Sequence, residues 1–170
     1  MSEFTFPENC KVVNGFTALG IGTAGAVYGV WISLKHAHKV WIVVNYRQGD
    51  ATQVVWGVQK ATAIAGTNAI AMTDLFPIWA NLATATSDLL VARTAAATYT
   101  FDVGQATKLL IIEVDPAALG NFTDGVTPYT CIRAYPFSAN IPVTSAWAMT
   151  YVVQPRYPSR VLTAPTIVAD

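Results

Sequence analysis

The chain has 170 residues, of which 53% are hydrophobic and only 12% are charged, and its formal net charge at pH 7 is zero. A soluble domain usually carries about a quarter charged residues, so this composition predicts that part of the surface is covered by other proteins. The ten basic residues are scattered singly, which argues against direct nucleic-acid binding because phosphates are recognised by a basic face. The length fits one domain spanning residues 1–170.

The stretch from Val12 to Leu34 has no charged residue and is long enough to cross a membrane as a helix. It contains five glycines, and each weakens a helix by up to about 1 kcal/mol relative to alanine. We therefore expect no membrane span. The N-terminus has Glu3 and no basic segment, so it does not resemble a signal peptide, and synthesis in the cytoplasm is expected.

Period-two alternation predicts strands in the first half of the chain. Residues 27–34 form one candidate strand. Residues 38–47 form a second, followed by a Gly49-Asp50 turn and a third over residues 54–58, which together predict a hairpin. In that hairpin Trp41 and Trp56 would be cross-strand partners. The buried face of the second strand is predicted to consist of Val40, Ile42, Val44 and Tyr46.

In the second half, residues 108–114 form a nearly continuous apolar run that is typical of a central strand. Two more strands are predicted over residues 129–137 and 147–153, the last stopped by prolines. Residues 74–82 fit either a brief helix or a strand, and the Ala/Thr-rich region 61–100 suggests strands joined by long loops. About eight strands without alternating helices predict an all-β antiparallel sandwich, with a jelly roll as the preferred topology.

The candidate chemical groups have structural explanations. His36 and His38 would share a strand face but lack a third metal ligand, so a polar turn is expected. Asp115 precedes Pro116 and suits the N-cap of a short helical turn, while Glu113 is expected to pair with Arg133 or Lys108. We predict no catalytic residue, no cofactor and no metal site, and hence no enzyme.

Two further groups leave alternatives open. Cys10 and Cys131 are predicted to be buried thiols, and a disulfide between them would need an oxidising compartment. The chain also has five tryptophans, which either fill the core or, if exposed, stack on sugars as in a carbohydrate-binding module.

Both ends of the chain are predicted to be extended arms, over residues 1–9 and 155–170. They combine prolines with aromatic, basic and aliphatic residues, a mixture that suits docking on a neighbouring subunit. A frayed terminus is the alternative. The residues proposed to contact a partner are Phe4, Phe6, Arg156, Tyr157 and Arg160.

Three stretches together resemble small virion structural proteins of tailed bacteriophages. Residues 33–44 (SLKHAHKVWIVV) are similar to their strand, Leu-Lys turn and strand opening. Residues 110–119 (LIIEVDPAAL) are similar to an I-E-V-D element followed by a short turn, and residues 151–157 (YVVQPRY) resemble their closing strand.

This resemblance implies a jelly-roll capsid cement, or decoration, protein on the capsid exterior of the virion. Such a protein would bind major capsid protein subunits, associate with copies of itself, and need no cofactor, nucleic acid or membrane. A tail or baseplate component is an alternative within the same class, and a carbohydrate-binding β-sandwich for host attachment is the alternative from another class.

Overall fold

The computed structural model describes residues 9–16, 28–49, 51–121, 125–136 and 145–156. Within these ranges the regular structure consists of strands and one short 3-10 helix at Pro116–Leu119, and loops connect them. The strands are β1 (Lys11–Phe16), β2 (Ile32–Ser33), β3 (Ala37–Arg47), β4 (Val55–Ala61), β5 (Ile70–Ala71), β6 (Phe76–Asn81), β7 (Val91–Ala96), β8 (Thr98–Thr100), β9 (Thr107–Val114), β10 (Cys131–Pro136) and β11 (Ala146–Pro155).

The strands form two antiparallel sheets. The six-stranded sheet has the order β1-β11-β3-β9-β6-β7. The five-stranded sheet has the order β2-β10-β4-β5, with β8 also paired to β4. Thus the strands predicted to be long and apolar, β3, β9 and β11, lie in the interior of the larger sheet.

The inner faces of the two sheets enclose one hydrophobic core, which confirms the predicted sandwich. The alternation along β3 places Val40, Ile42, Val44 and Tyr46 in this core, as predicted. At its centre Trp56 of the five-stranded sheet meets Trp147 of the six-stranded sheet edge to face, with ring centroids 4.8 Å apart. Such a pair contributes beyond the area that it buries, by about 0.5–1.5 kcal/mol.

The chain winds by alternating between the sheets. The strands β1 to β4 belong in turn to the larger, smaller, larger and smaller sheet, and β9 to β11 alternate in the same way. This winding is compatible with a jelly roll, which stays a prediction. It also shows that the predicted hairpin is wrong, because the chain leaves β3 in one sheet and enters β4 in the other.

The pairing predicted for Trp41 with Trp56 is therefore also wrong. Trp41 lies on the outer face of the six-stranded sheet, opposite Val152 and Glu113, whereas Trp56 is fully buried in the core. A turn signal specifies that the chain reverses but does not specify whether it pairs with itself or crosses to a second sheet.

Other elements differ in extent from the predicted ones. The strand expected over residues 27–34 is confined to Ile32–Ser33 in the described part, and residues 74–82 form the strand Phe76–Asn81 rather than a helix. The strand β1 was not predicted at all. The region 61–100 does contain strands joined by loops, as predicted. Across the described ranges, every helix falls short of the length and apolar character that crossing a membrane requires.

One open side of the sandwich is held closed by a segment that bonds to both sheets. The Gly29 amide donates to the Ala134 carbonyl of the five-stranded sheet (3.0 Å), and the Val30 amide donates to the Gly15 carbonyl of the six-stranded sheet (2.9 Å). The buried Tyr151 hydroxyl donates to the Val30 carbonyl (3.0 Å) and accepts from the Ala134 amide (3.2 Å). The Tyr151 hydroxyl is thus a bridge between the two layers.

Candidate interaction surfaces

Most of the residues predicted to contact a partner lie outside the described residues, namely Phe4, Phe6, Tyr157 and Arg160. Arg156 is described and exposed. Its amide donates to the His36 carbonyl (2.9 Å) and its Nε donates to the Ala37 carbonyl (3.2 Å). Arg156 therefore fixes the end of β11 to the turn before β3, a contact within this chain.

The histidine and carboxylate candidates occupy separate structural positions. His36 lies in an exposed turn and His38 is exposed in β3. The described ranges contain no group of three His, Cys, Asp or Glu residues that could hold a metal ion. The Asp115 carboxylate accepts from the Ala117 amide (2.9 Å) at the start of the 3-10 helix, which confirms its predicted role as an N-cap.

The partner predicted for Glu113 is wrong. Its carboxylate accepts from the Lys39 Nζ and from the Trp41 Nε1, both at 2.8 Å. The reason is strand register, because Glu113 lies directly opposite Trp41 on the β3–β9 ladder. Arg133 is on the other sheet and Lys108 points into the opposite face of β9.

Both cysteine side chains are buried, which confirms their predicted place in the interior. Burial raises the pKa of the Cys10 thiol above its ordinary value, so the reactive thiolate is disfavoured at this position.

The outer face of the six-stranded sheet carries several half-buried apolar side chains. Strand register aligns side chains across this face in rows, one of which runs Thr150, Val43, Ile111, Trp79 and Ala92 from β11 to β7. We define the outer apolar face by its half-buried central residues, which are Trp41, Val43, Trp79, Leu109, Ile111 and Val152.

Charged groups surround the outer apolar face at its ends. Lys39 and Glu113 form an ion pair of 2.8 Å at one end, and exposed Arg47 lies at the other end of β3. Next to Val152 on the edge strand, Val12 is 61% exposed. An apolar centre with a polar rim is the usual anatomy of a protein–protein interface.

The size of the face follows from sheet geometry. Six strands about 4.8 Å apart, each contributing about eight residues at about 3.3 Å, give the whole outer side of the sheet, polar rim included, a footprint on the order of 600 Å2. A typical stable interface buries about 800 Å2 on each partner. The outer side of the sheet, with its apolar centre and polar rim together, is thus close to the size of a specific docking surface.

A second cluster lies on the outer face of the five-stranded sheet, around Arg133. The guanidinium carbon lies 4.1 Å from the ring centroid of Tyr28 and 4.6 Å from that of Trp31, and Nε donates to the Gln59 Oε1 (2.7 Å). Burial lowers the pKa of Arg133 from its ordinary value. The aromatic rings therefore hold a cation that has lost part of its hydration.

A third cluster, which is polar and centred on Lys108, lies at one end of the sandwich. Lys108 is fully buried, and its Nζ donates to the Gln48 Oε1 (2.7 Å), to the Asp102 carbonyl (2.9 Å) and to the Asp102 carboxylate. Nearby, the Tyr46 hydroxyl donates to the Ser145 Oγ (3.2 Å). A polar depression of about 380 Å3 opens beside this end, lined by Arg47, Gln48, Gly49, Gln105, Ala106 and Thr107. These bonds tie loops to strands and serve stability.

The sequence pattern indicates part of the outer apolar face, but it does not indicate the Arg133 cluster. The second face of residues 38–47 already contained Trp41 and Val43, which are too apolar for a solvated face. In contrast, Tyr28 and Trp31 are about a hundred residues from Arg133 in sequence, and only the fold brings the three together.

The comparisons with known proteins add little. No family model matches the chain, and no curated protein matches it either. Among solved structures, it is similar to the crystal structure of the SPBc2 prophage-derived protein YomS, with 10% identity over 83% of this chain and 93% of that chain. The TM-score is 0.28, so the likeness carries no weight for fold or function.

Proposed function

We propose that this chain is a non-enzymatic structural protein of a bacteriophage virion, a cement protein that stabilises the head by binding major capsid protein subunits from outside. The observation that carries the docking role is the outer apolar face, which the described residues leave partly open to solvent. The class of particle is suggested by the resemblance of residues 33–44, 110–119 and 151–157 to small virion proteins.

The proposed mechanism is mechanical. Covering the apolar part of this face contributes about 25 cal/mol for each Å2 that is removed from water. Association and ordering cost about 4–15 kcal/mol, so one copy binds with modest net affinity. The effect on a capsid comes from many symmetry-related copies, each joining neighbouring subunits.

The experiment uses heads that lack this protein, purified chain, and a variant of the outer apolar face. Val43→Glu places a carboxylate at the centre of the face, whose side chain points away from the core. We expect the natural chain to co-sediment with heads and raise their melting temperature, and the variant to do neither. Val126→Glu is the matched control, because Val126 is 81% exposed on a loop elsewhere.

Three results would contradict the proposal. One is that complete heads melt at the same temperature as heads lacking the protein. Another is that Val43→Glu binds as well as the control variant. The third is that the chain sediments with tails or baseplates and not with heads, which would support the alternative component of the same particle.

We also propose that copies of the chain associate through the edge strand β7. Its second edge has no strand partner among the described residues, four of its six residues are exposed, and Arg93 is its only charged side chain. Natural edge strands usually carry more protection against such pairing. Sedimentation velocity should show a concentration-dependent oligomer that Ala95→Lys in β7 abolishes and that Ala117→Lys, in the 3-10 helix, preserves.

A further inference from the structure

We propose that the Arg133 cluster, on the sheet opposite to the outer apolar face, is a binding site for a carboxylated sugar. This inference does not depend on the cement role. If the outer apolar face were covered by a larger assembly, the Arg133 cluster on the other layer of the sandwich would remain on the accessible side.

The charge of Arg133 has no counterion within the chain as described. Lys39 pairs with Glu113 and Lys108 pairs with Asp102, and Arg133 takes part in neither pair. The two aromatic rings and Gln59 offset part of the cost of half-burying this cation, and burial is still the first cause that lowers its pKa. A bound anion would remove this cost.

The orientation of the guanidinium is fixed while its outer donors stay available. Nε is occupied by Gln59, which lies directly opposite Arg133 on the β4–β10 ladder. The bond to Gln59 is the one side-chain hydrogen bond that Arg133 makes to the described residues. The two terminal nitrogens of the guanidinium therefore keep four N–H donors for a ligand. Such a planar fork matches the two oxygens of a carboxylate.

The aromatic rings around the guanidinium supply the second half of the site. Tyr28 is 44% exposed, so part of its ring faces solvent, and its ring centroid lies 5.8 Å from that of Tyr135 with the two planes tilted by 35°. Trp31 is held in place by the loop at Gly66, where a Cβ atom would approach the indole nitrogen to 2.6 Å. The guanidinium covers one face of each ring, so the apolar face of an acidic sugar would pack against the exposed part of Tyr28 while its acid group meets the cation.

Titration by two-dimensional NMR tests this assignment, with digalacturonate as probe and neutral galactobiose and a tetraglutamate peptide as comparisons. We expect digalacturonate to shift the Trp31 indole and Tyr28 signals and to bind at least about tenfold more tightly than galactobiose, as one charge-assisted pair predicts. Tighter binding of tetraglutamate would overturn the assignment in favour of an acidic protein partner.

Variants locate the binding. Arg133→Lys keeps the charge but loses the fork, and should weaken digalacturonate binding about tenfold. Arg156→Lys, at an exposed arginine whose Nε bonds the Ala37 carbonyl of this chain, is the matched control and should bind normally. Tyr28→Leu should weaken digalacturonate binding while leaving the weak binding of free acetate intact. Equal binding by Arg133→Lys and Arg156→Lys, or the absence of any shift with the natural chain, would refute the proposal.

Discussion

Replacing Tyr151 by Phe removes a single oxygen atom, and we expect this change to destabilise the sandwich by about 2 kcal/mol. The hydroxyl accepts from the Ala134 amide at 3.2 Å and donates to the Val30 carbonyl at 3.0 Å. Val30 is 44% exposed, so water can replace the hydroxyl at its carbonyl. The Ala134 amide is buried, and an unsatisfied buried donor costs about 1–3 kcal/mol.

Urea denaturation followed by tryptophan fluorescence measures the effect, since Trp56 and Trp147 report directly on the core. The midpoint should fall with an unchanged slope. For a chain of this size a loss of about 2 kcal/mol also lowers the melting temperature by about 4–8 °C. Tyr28→Phe is the matched control, and its partly exposed ring predicts a change within about 0.5 kcal/mol.

Gly29 offers a second test of the Tyr151 hydroxyl bridge. A Cβ at Gly29 would lie 2.1 Å from the Met149 methyl, 2.7 Å from the Tyr151 hydroxyl and 3.0 Å from the Ala134 carbonyl. The Met149 end can turn away, whereas the hydroxyl is held by two hydrogen bonds. Gly29→Ala should therefore be less harmful when combined with Tyr151→Phe, with a coupling of at least about 0.5 kcal/mol. Two results would refute the role of the Tyr151 hydroxyl as a bridge between the sheets. One is that the losses in unfolding free energy of Gly29→Ala and Tyr151→Phe add strictly, and the other is that Tyr151→Phe loses no more than Tyr28→Phe.

Two further predictions concern ionisable groups. Burial raises the pKa of Tyr151 above its ordinary value of 10.0, so the folded state holds this proton more tightly than the unfolded state does. The contribution of Tyr151 to the free energy of unfolding is therefore complete below about pH 10 and falls as the pH rises further. Urea titration at successive pH values should show this fall, and Tyr151→Phe should lessen it. Asp102→Asn leaves buried Lys108 without its ion partner. Because the Asp102 side chain is 57% exposed, we expect a loss of about 1–2 kcal/mol, below the figure for fully buried pairs. Asp88→Asn, an exposed position, should change the unfolding free energy by less than about 0.5 kcal/mol, and equal losses in both variants would contradict this account.

Strand faces could be predicted from the sequence, whereas sheet membership could not. The alternation in residues 38–47 identified the core side of β3, and Asp115 before Pro116 identified the helix cap. Both are local properties. The partner of β3 depends on a crossing between sheets, which the Gly49-Asp50 signal does not distinguish from a hairpin.

The candidate surfaces depended on contacts that are distant in sequence. Glu113 takes Lys39 as its partner because of the β3–β9 register, which no local pattern specifies. The Arg133 cluster forms where the segment before β2 crosses over β10. The low overall charge predicted that part of the surface is covered by other proteins, and the outer apolar face is the candidate for that part.

The pairing of β1 with β11 has a practical consequence for engineering. Lys11 lies opposite Val153 on this ladder, so the first described strand begins beside the end of the last one. A short linker could join the start of β1 directly to the end of β11, and new termini could be opened at exposed Val126, giving a circularly permuted arrangement of the described strands. Peptides fused at the start of β1 and at the end of β11 would emerge side by side on the six-stranded sheet, while peptides fused to the permuted ends would leave near Val126.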